Sequence, residues 1–422
     1  MTPQTLADWL RYQERIHPQT IQLGLDRVAE VRDRLELKPD FPIITVGGTN
    51  GKGSTCAMLE AILHRAGYRV GCYTSPHLLE YNERVRIGQI NASDAALCQA
   101  FAHVEEARGD IALTYFEFGT LAALWMFCQA DLEVAILEVG LGGRLDAVNV
   151  FDADCAILTS VALDHQDYLG DDLETIGFEK AGIFRPNRPA IFSDMEIPQS
   201  VIAHARLLGA RLLLGGKDFG CTRMEGQWQF WGPHGRHHAL PFPALRGSYQ
   251  LRNASGALAA LDELRDRLPI ALHDIKRGLL EVELAARLQV LPGRPAVVLD
   301  VAHNPHAARV LADGLGDMGF YQNTLAVFSM LKDKDVRGVI DLVKHRFDAW
   351  YLGGIESGRA ASVDWLKAQI TELSPGTPVY SFAGVGPAYQ HACEAAGQND
   401  RIVVFGSFYT VADALRAREW QR

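Results

Sequence analysis

The stretch Gly47-Gly48-Thr49-Asn50-Gly51-Lys52-Gly53-Ser54-Thr55 constrains this chain more than any other feature, because it lies between a β-rich apolar run at 41–46 (FPIITV) and a helical pattern at 56–65. A buried strand that ends in glycines and restarts as a helix forms a phosphate-cradling turn. Backbone N–H groups surround the phosphates, a lysine offsets their charge and a hydroxyl reaches Mg2+. The spacing departs from the usual P-loop by one glycine, GKGS in place of GKS. A bare glycine turn is the competing reading, and the flanking strand and helix argue against it.

The apolar runs at 70–73, 134–139 and 155–159 each pass into a glycine-rich or polar turn, with helical spacing between them, as at 117–129. That alternation predicts a parallel sheet wrapped by helices. Through 190–192, 212–214 and 227–231 the pattern loosens into short strands broken by GG, GQ and GPHG, which predicts an irregular β-rich extension. Helices are expected at 253–264 and 268–282. Beyond Pro292-Gly293-Arg294-Pro295 a second alternation begins, with strands at 296–300, 324–328, 349–352, 379–381 and 401–405. The expected architecture is α/β: a P-loop parallel-sheet ATPase domain over 1–286 and a smaller Rossmann-like domain over 287–422, a division that 422 residues accommodate.

Charge narrows the partners. With 41 basic and 51 acidic side chains the formal charge is −10, so no global positive field exists to hold a nucleic acid or an anionic membrane. Seven cysteines without a CxxC pair suggest neither a disulfide framework nor a zinc ribbon, and fit a reducing cytoplasm. The first twenty residues lack the apolar core of a signal peptide, and no apolar run approaches the roughly 18–20 residues of a membrane span. A cytoplasmic protein acting on small molecules is expected.

Glu138 closes the run Ala135-Ile136-Leu137 and opens Val139-Gly140-Leu141-Gly142-Gly143-Arg144-Leu145-Asp146. A carboxylate at the carboxyl end of a buried parallel strand faces the crevice where open α/β sheets bind ligands, and its hard oxygens suit Mg2+. Two more strand ends repeat the placement, in Thr74-Ser75-Pro76-His77-Leu78 and Thr159-Ser160-Val161-Ala162-Leu163-Asp164-His165. Taken singly, His77 and His165 read as ordinary surface or core histidines. Their convergence on one crevice raises the joint case.

The series GTNGKGS, TSPHL with NERVR, LTYFEFGT, LEVGLGGRLDAVN, LDHQDYLG, EKAGIF and DVAHNPHA resembles the successive motifs of the bacterial dihydrofolate synthase/folylpolyglutamate synthase family, relatives of the Mur peptide ligases, in order from about residue 23 to 408. The resemblance implies an ATP-dependent amide ligase. A substrate carboxylate becomes an acyl phosphate, which the amine of L-glutamate attacks, with dihydropteroate or a reduced folate as acceptor. A folylpolyglutamate synthase alone is the narrower alternative.

By the same resemblance Asn50, Gly51, Lys52, Gly53 and Ser54 would hold the triphosphate, with Asn253, Arg287 and Asp300 as further nucleotide contacts. Ser75, Glu138 and His165 match the Mg2+ positions, with Ser54 as a further ligand; two Mg2+ ions and a K+ ion are the implied cations. Lys180, in EKAGIF, matches a lysine that the family carries as a carbamate. Leu23, Gly24, Leu25 and Asp26, then Thr114, Tyr115, Phe116 and Glu117, and then Leu145, Asp146 and Ala147 match segments that hold the pterin and pteroate. Phe116 could stack on a flat heterocycle, or simply pack in the core, and Asp26 or Glu117 could accept its N–H groups. Lys52, Lys180 and His303 are the residues expected nearest the chemistry, and the family is usually monomeric.

Pro292-Gly293-Arg294 is a tempting match to the family's Pro-Gly-Arg. Counting back from Asp300 instead puts the nucleotide-binding arginine at Arg287, which follows Ala285-Ala286. A Mur ligase acting on a UDP-sugar peptide would need a uridine-nucleotide domain ahead of the P-loop, where only about forty residues stand. A P-loop switch or motor would leave TSPHL, EKAGIF and DVAHNP unexplained.

Overall fold

A computed structural model describes residues 3–17, 19 and 21–419. The chain forms two units: the first runs to Ala244 and resumes over Leu251–Val282, and the second takes Leu245–Gln250 and Glu283 onward. Residues 245–250 and 283–286 thus fall with the second unit.

The first unit is built on eight strands: β1 (Ile43–Gly47), β2 (Val70–Tyr73), β3 (Val85–Ile87), β4 (Ile90–Asn91), β5 (Val134–Glu138), β6 (Cys155–Leu158), β7 (Pro189–Phe192) and β8 (Arg211–Leu214), in the order β4-β3-β2-β5-β1-β6-β7-β8. The pairs from β2 through β8 are parallel, and β3 and β4 add an antiparallel edge. Every residue of β1, β2, β5, β6 and β7 is buried, as continuous apolar runs covered on both faces require. β7 and β8 therefore extend the main sheet through the crossover helix Gln199–Leu208. The glycines that suggested an irregular region follow β8. Only β9 (Gly220–Arg223), β10 (Trp228–Gly232) and β11 (Gly235–Leu240) stand apart, as a three-stranded antiparallel sheet holding Trp228 and Phe230 in its interior.

The second unit carries β12 (Gln289–Leu291), β13 (Ala296–Leu299), β14 (Thr324–Phe328), β15 (Ala349–Gly353), β16 (Val379–Phe382) and β17 (Arg401–Phe405), ordered β12-β13-β17-β14-β15-β16. All pairs but the β12–β13 hairpin are parallel. Phe328, Trp350 and Phe405 pack against one another in its core, with ring centroids 4.9–6.1 Å apart.

Candidate functional site

In the first unit the carboxyl ends of β1, β5 and β6 bring the glycine loop, Glu138 and Thr159-Ser160 together. The helix after β1 starts at Lys52, four residues before the sequence pattern places it, so Gly53 and Ser54 lie in its first turn. Gly51 caps that helix at φ 92°, and Gly48 adopts φ 138°, both in the left-handed region that glycine tolerates. A Cβ on Gly48 would come within 1.9 Å of Thr159 Oγ1, and one on Gly51 within 2.6 Å of Asn253 Oδ1. The loop is pinned from β6. Ser160 O accepts from Thr49 N at 2.9 Å, Ser160 Oγ accepts from Asn50 N at 3.1 Å, and Thr159 Oγ1 donates to Asn50 O at 2.7 Å. No role was assigned to these hydroxyls from sequence, where nothing links them to a loop 110 residues away.

Two cations meet on this loop. Lys52 Nζ donates to Gly48 O at 3.1 Å and to Thr49 O at 3.2 Å, and Lys180 Nζ donates to the same Gly48 carbonyl at 3.2 Å. Both amines are hydrogen-bonded to backbone carbonyl oxygens, and the charges of Asp164 and Asp146 also bear on Lys180. Lys180 is 5 % exposed. Burial first, and the nearby Lys52 charge second, bring its amine down to about 7.

Glu138, buried at the end of β5, accepts from Ser75 N at 3.1 Å, so the two strand ends expected at a metal are joined directly. Ser54 is buried in the helix's first turn. His165 stands at φ 52° as the cap of the short helix Gln166–Leu169, its N–H on Asp164 Oδ1 at 2.9 Å. Among the described residues no three His, Cys, Asp or Glu side chains converge as a metal cage. A buried carboxylate with serine hydroxyls beside a phosphate loop fits a hard divalent cation that takes its remaining ligands from phosphate and water.

One acceptor segment packs on a glycine. A Cβ on Gly140 would lie 2.7 Å from Phe116 Cζ, so the ring packs against the loop, and the Tyr73 ring centre lies 5.8 Å from that of Phe116. Gly24 N donates to Leu145 O at 3.4 Å, joining two of the three segments. Leu25 caps the helix Asp26–Arg34, where Asp26 is exposed. Glu117 is committed to the fold: Oε2 accepts from Thr114 N at 2.7 Å in a capping box, and Oε1 accepts from Arg27 Nη2 at 2.8 Å. Asp146, beside Ala147, accepts from Leu141 N at 2.8 Å and Val148 N at 3.0 Å; burial raises its carboxyl to about 7. It therefore shapes the glycine-rich loop.

In the second unit Asp300 follows β13 and takes Leu288 N and Ala302 N, each at 2.8 Å. Ala286 and Leu288 have φ 58° and 47°, and the turn they form presents Arg287, whose guanidinium lies 5.2 Å from the Phe408 ring centre. In the β12–β13 hairpin Gln289 pairs with Leu299, which puts Arg287 at the Asp300 end, while the exposed Arg294 occupies the turn at the other end. His303 Nδ1 contacts Val301 O at 2.8 Å, and Asn304 caps the helix Pro305–Asp317 through Ala307 N.

A glycine loop with two lysines on its carbonyl and a carboxylate on the adjoining strand end defines an α/β protein that handles phosphate. Comparison with known proteins places it more narrowly. The family pattern described as Mur ligase middle domain matches residues 46–261, and that of the Mur ligase, glutamate ligase domain, matches 286–408. The dihydrofolate synthase/folylpolyglutamate synthase of Escherichia coli K12 is 45 % identical over 425 residues, covering 100 % of this chain and 98 % of that protein. The structure of E. coli FolC in complex with DHPP and ADP superposes with a TM-score of 0.94 at 44 % identity, over 100 % of this chain and 99 % of that one. A bifunctional folylpolyglutamate synthase/dihydrofolate synthase with Mn, AMPPNP and L-glutamate bound gives 0.91 at 45 % identity, over 99 % and 100 %. The chain belongs to the dihydrofolate synthase/folylpolyglutamate synthase family of Mur ligases.

Proposed function

We propose that this chain is an ATP-dependent ligase that joins L-glutamate to 7,8-dihydropteroate and to reduced folates. The carrying observation is that the phosphate loop, its lysine pair and Glu138 occur in a chain that matches a bifunctional relative along its whole length. In the first step an acceptor carboxylate oxygen bonds the γ-phosphorus of ATP and the bond to ADP breaks. In the second the glutamate amine attacks the acyl carbon, phosphate leaves, and the nitrogen sheds a proton.

The loop from Gly48 through Ser54 cradles the phosphates, and Lys52 turns from the Gly48 carbonyl toward the transferring phosphoryl, where its charge counts most. Asn253, packed on Gly51, is read as holding the loop and contacting the nucleotide, and Arg287 and Asp300 are read as further nucleotide contacts, with His303 close to Asp300. A divalent cation supplies positive charge to the phosphoryl oxygens when bound. Ser54, Ser75, Glu138 and His165 would hold it, a second Mg2+ would share the phosphates, and K+ would add a monovalent charge. Phe116, half-buried against Gly140, would pack on the pterin or benzoyl ring, with Leu23–Asp26 and Leu145–Ala147 as the other acceptor segments.

Lys180 is read as a carbamate. Carbamate formation needs the neutral amine, which an amine near 7 supplies at neutral pH, and the adduct gives negative oxygens where a bare ammonium would repel a metal. The seven cysteines are all free, in keeping with a reducing cytoplasm, and among the described residues no helix is long and apolar enough to cross a membrane. We read the protein as a monomer.

The test is glutamate-dependent ADP release by the pure protein with dihydropteroate and with tetrahydrofolate. Release with both is expected. Release with tetrahydrofolate alone would reduce the activity to chain elongation, and release indifferent to glutamate would indicate a nucleotide switch.

A further inference from the structure

Arg84 and Arg86 sit two residues apart beside the glycine-loop sheet, and the fold treats them oppositely. Arg86 is fully engaged: Nε and Nη2 donate to the Glu60 carboxylate at 2.9 and 2.8 Å, and Nη1 donates to Thr74 Oγ1 and Glu83 O. Arg84 has no such partner. Its Nε donates to His77 Nδ1 at 2.9 Å, and its guanidinium carbon lies 5.2 and 5.4 Å from the ring centres of Tyr81 and Tyr115. The carboxylate next to it in sequence, Glu83, is spent on the N–H groups of Leu78, Leu79 and Glu80 at 2.7–2.8 Å. Among the described residues no carboxylate pairs with Arg84, and its two Nη groups make no hydrogen bond.

A half-buried guanidinium, aimed by an imidazole nitrogen and flanked by two aromatic rings, is a preorganised receptor for a carboxylate. Its position says which one. Arg84 O accepts from Thr74 N at 2.9 Å, one residue from Ser75 on the metal side, while Tyr115 belongs to the segment read as holding the acceptor. The reacting carboxylate must reach the phosphoryl group, where Lys52 and the cation already supply charge. A folate acceptor ends in a glutamate with a second carboxylate that does not react, and a pteroate acceptor has none.

Resting on the ligase reading above, we propose that Arg84 is a specificity residue that receives the non-reacting carboxylate of a folate's terminal glutamate. It would thereby serve chain elongation and be indifferent to dihydrofolate synthesis.

The experiment compares wild type with Arg84→Ala and Arg84→Lys. For Arg84→Ala, KM for tetrahydrofolate should rise roughly tenfold or more, the loss of one charge-assisted bidentate contact, while KM for dihydropteroate and for glutamate stays within about twofold. Arg84→Lys, which keeps the charge and loses the fork, should fall between. Equilibrium binding gives a readout apart from turnover: wild type should bind tetrahydrofolate more tightly than tetrahydropteroate, and Arg84→Ala should bind the two alike. An equal rise in KM for dihydropteroate would overturn the proposal, as would a rise confined to glutamate. Unchanged binding discrimination in a variant with wild-type melting would also overturn it. Absence of glutamate-dependent ADP release in the wild type would instead sink the ligase reading itself.

Discussion

In each unit a buried aspartate at the carboxyl end of the sheet fastens a loop, Asp146 in the first and Asp300 in the second, each with cations nearby. Asp146 takes two backbone N–H groups in the first unit, and the cations near it, Lys52 and Lys180, both rest on the Gly48 carbonyl. Asp300 takes two backbone N–H groups in the second unit, but there Arg287 and His303 lie close enough to offset its charge. In the first unit the lysine nitrogens are hydrogen-bonded to a neutral carbonyl, with Lys52 also acting on the Asp146 charge, and in the second Arg287 is the charge that acts most on Asp300. Removing charge from the first should stop the chemistry, whereas in the second it should only weaken binding.

The largest effect is expected from Lys52→Ala, which should lower kcat by about 10³-fold or more with either acceptor, because it removes charge from the transferring phosphoryl. Wild-type kcat in that variant would erase the contrast between the units. Lys180→Ala should follow at about 10²-fold. Acetate should restore part of the activity by filling the carbamate's oxygen positions, and native protein labelled with ¹³C-bicarbonate should show a carbamate carbon signal that the variant lacks. A fully active enzyme without that signal would make Lys180 a plain lysine.

A smaller effect comes from the aspartates. The folded Asp146 carboxyl, raised from 3.8 to about 7 chiefly by burial, keeps its proton where the unfolded chain has already lost it. The folded state then binds more protons between roughly pH 4 and 7, so stability falls as pH rises through that window and levels above it, with a ceiling of about 4 kcal/mol. Asp146→Asn should abolish the fall, measured as Tm between pH 5 and 8. Burial raises Asp300 too, with Arg287 the charge that most opposes it, so Asp300→Asn should remove a fall of the same sign. A variant of either aspartate that leaves the pH dependence of Tm unchanged would break the comparison.

The parts legible in the sequence are those whose signal is local. A five-residue buried strand, its glycines and the next helix lie side by side in the chain, and the second alternation of strands after 292 was readable for the same reason. The helix start was set late because Gly53 disfavours a helix on propensity alone, while contacts from β6 and Asn253 fix the turn regardless. Thr159 and Ser160 went unassigned because a strand-end hydroxyl carries no spacing signal and its partner is remote in sequence. Glu117 is a different case. Thr114-Tyr115-Phe116-Glu117 has the Thr-x-x-Glu spacing of a capping box, a local signal for the helix start that stands beside the pterin contact the resemblance implies.

The smallest effects lie in the hairpin of the second unit, where two arginines compete for one role. Arg287 projects from a turn held by the Asp300 carboxylate, with left-handed residues on either side and the Phe408 ring beneath its guanidinium. A side chain held in this way needs little further ordering to make the nucleotide contact proposed for it. Arg294 is exposed in the turn at the far end of β13, beyond the antiparallel pairs from Leu291–Val297 to Gln289–Leu299. Arg287→Ala should therefore raise KM for ATP roughly tenfold with little change in kcat, the pattern of lost uniform binding, and Arg294→Ala should stay within about twofold. A rise with Arg294→Ala and none with Arg287→Ala would mean that the register counted back from Asp300 is wrong. A collapse of kcat with Arg287→Ala would move that arginine into the transition state and end the distinction between a reactive first unit and a binding second one.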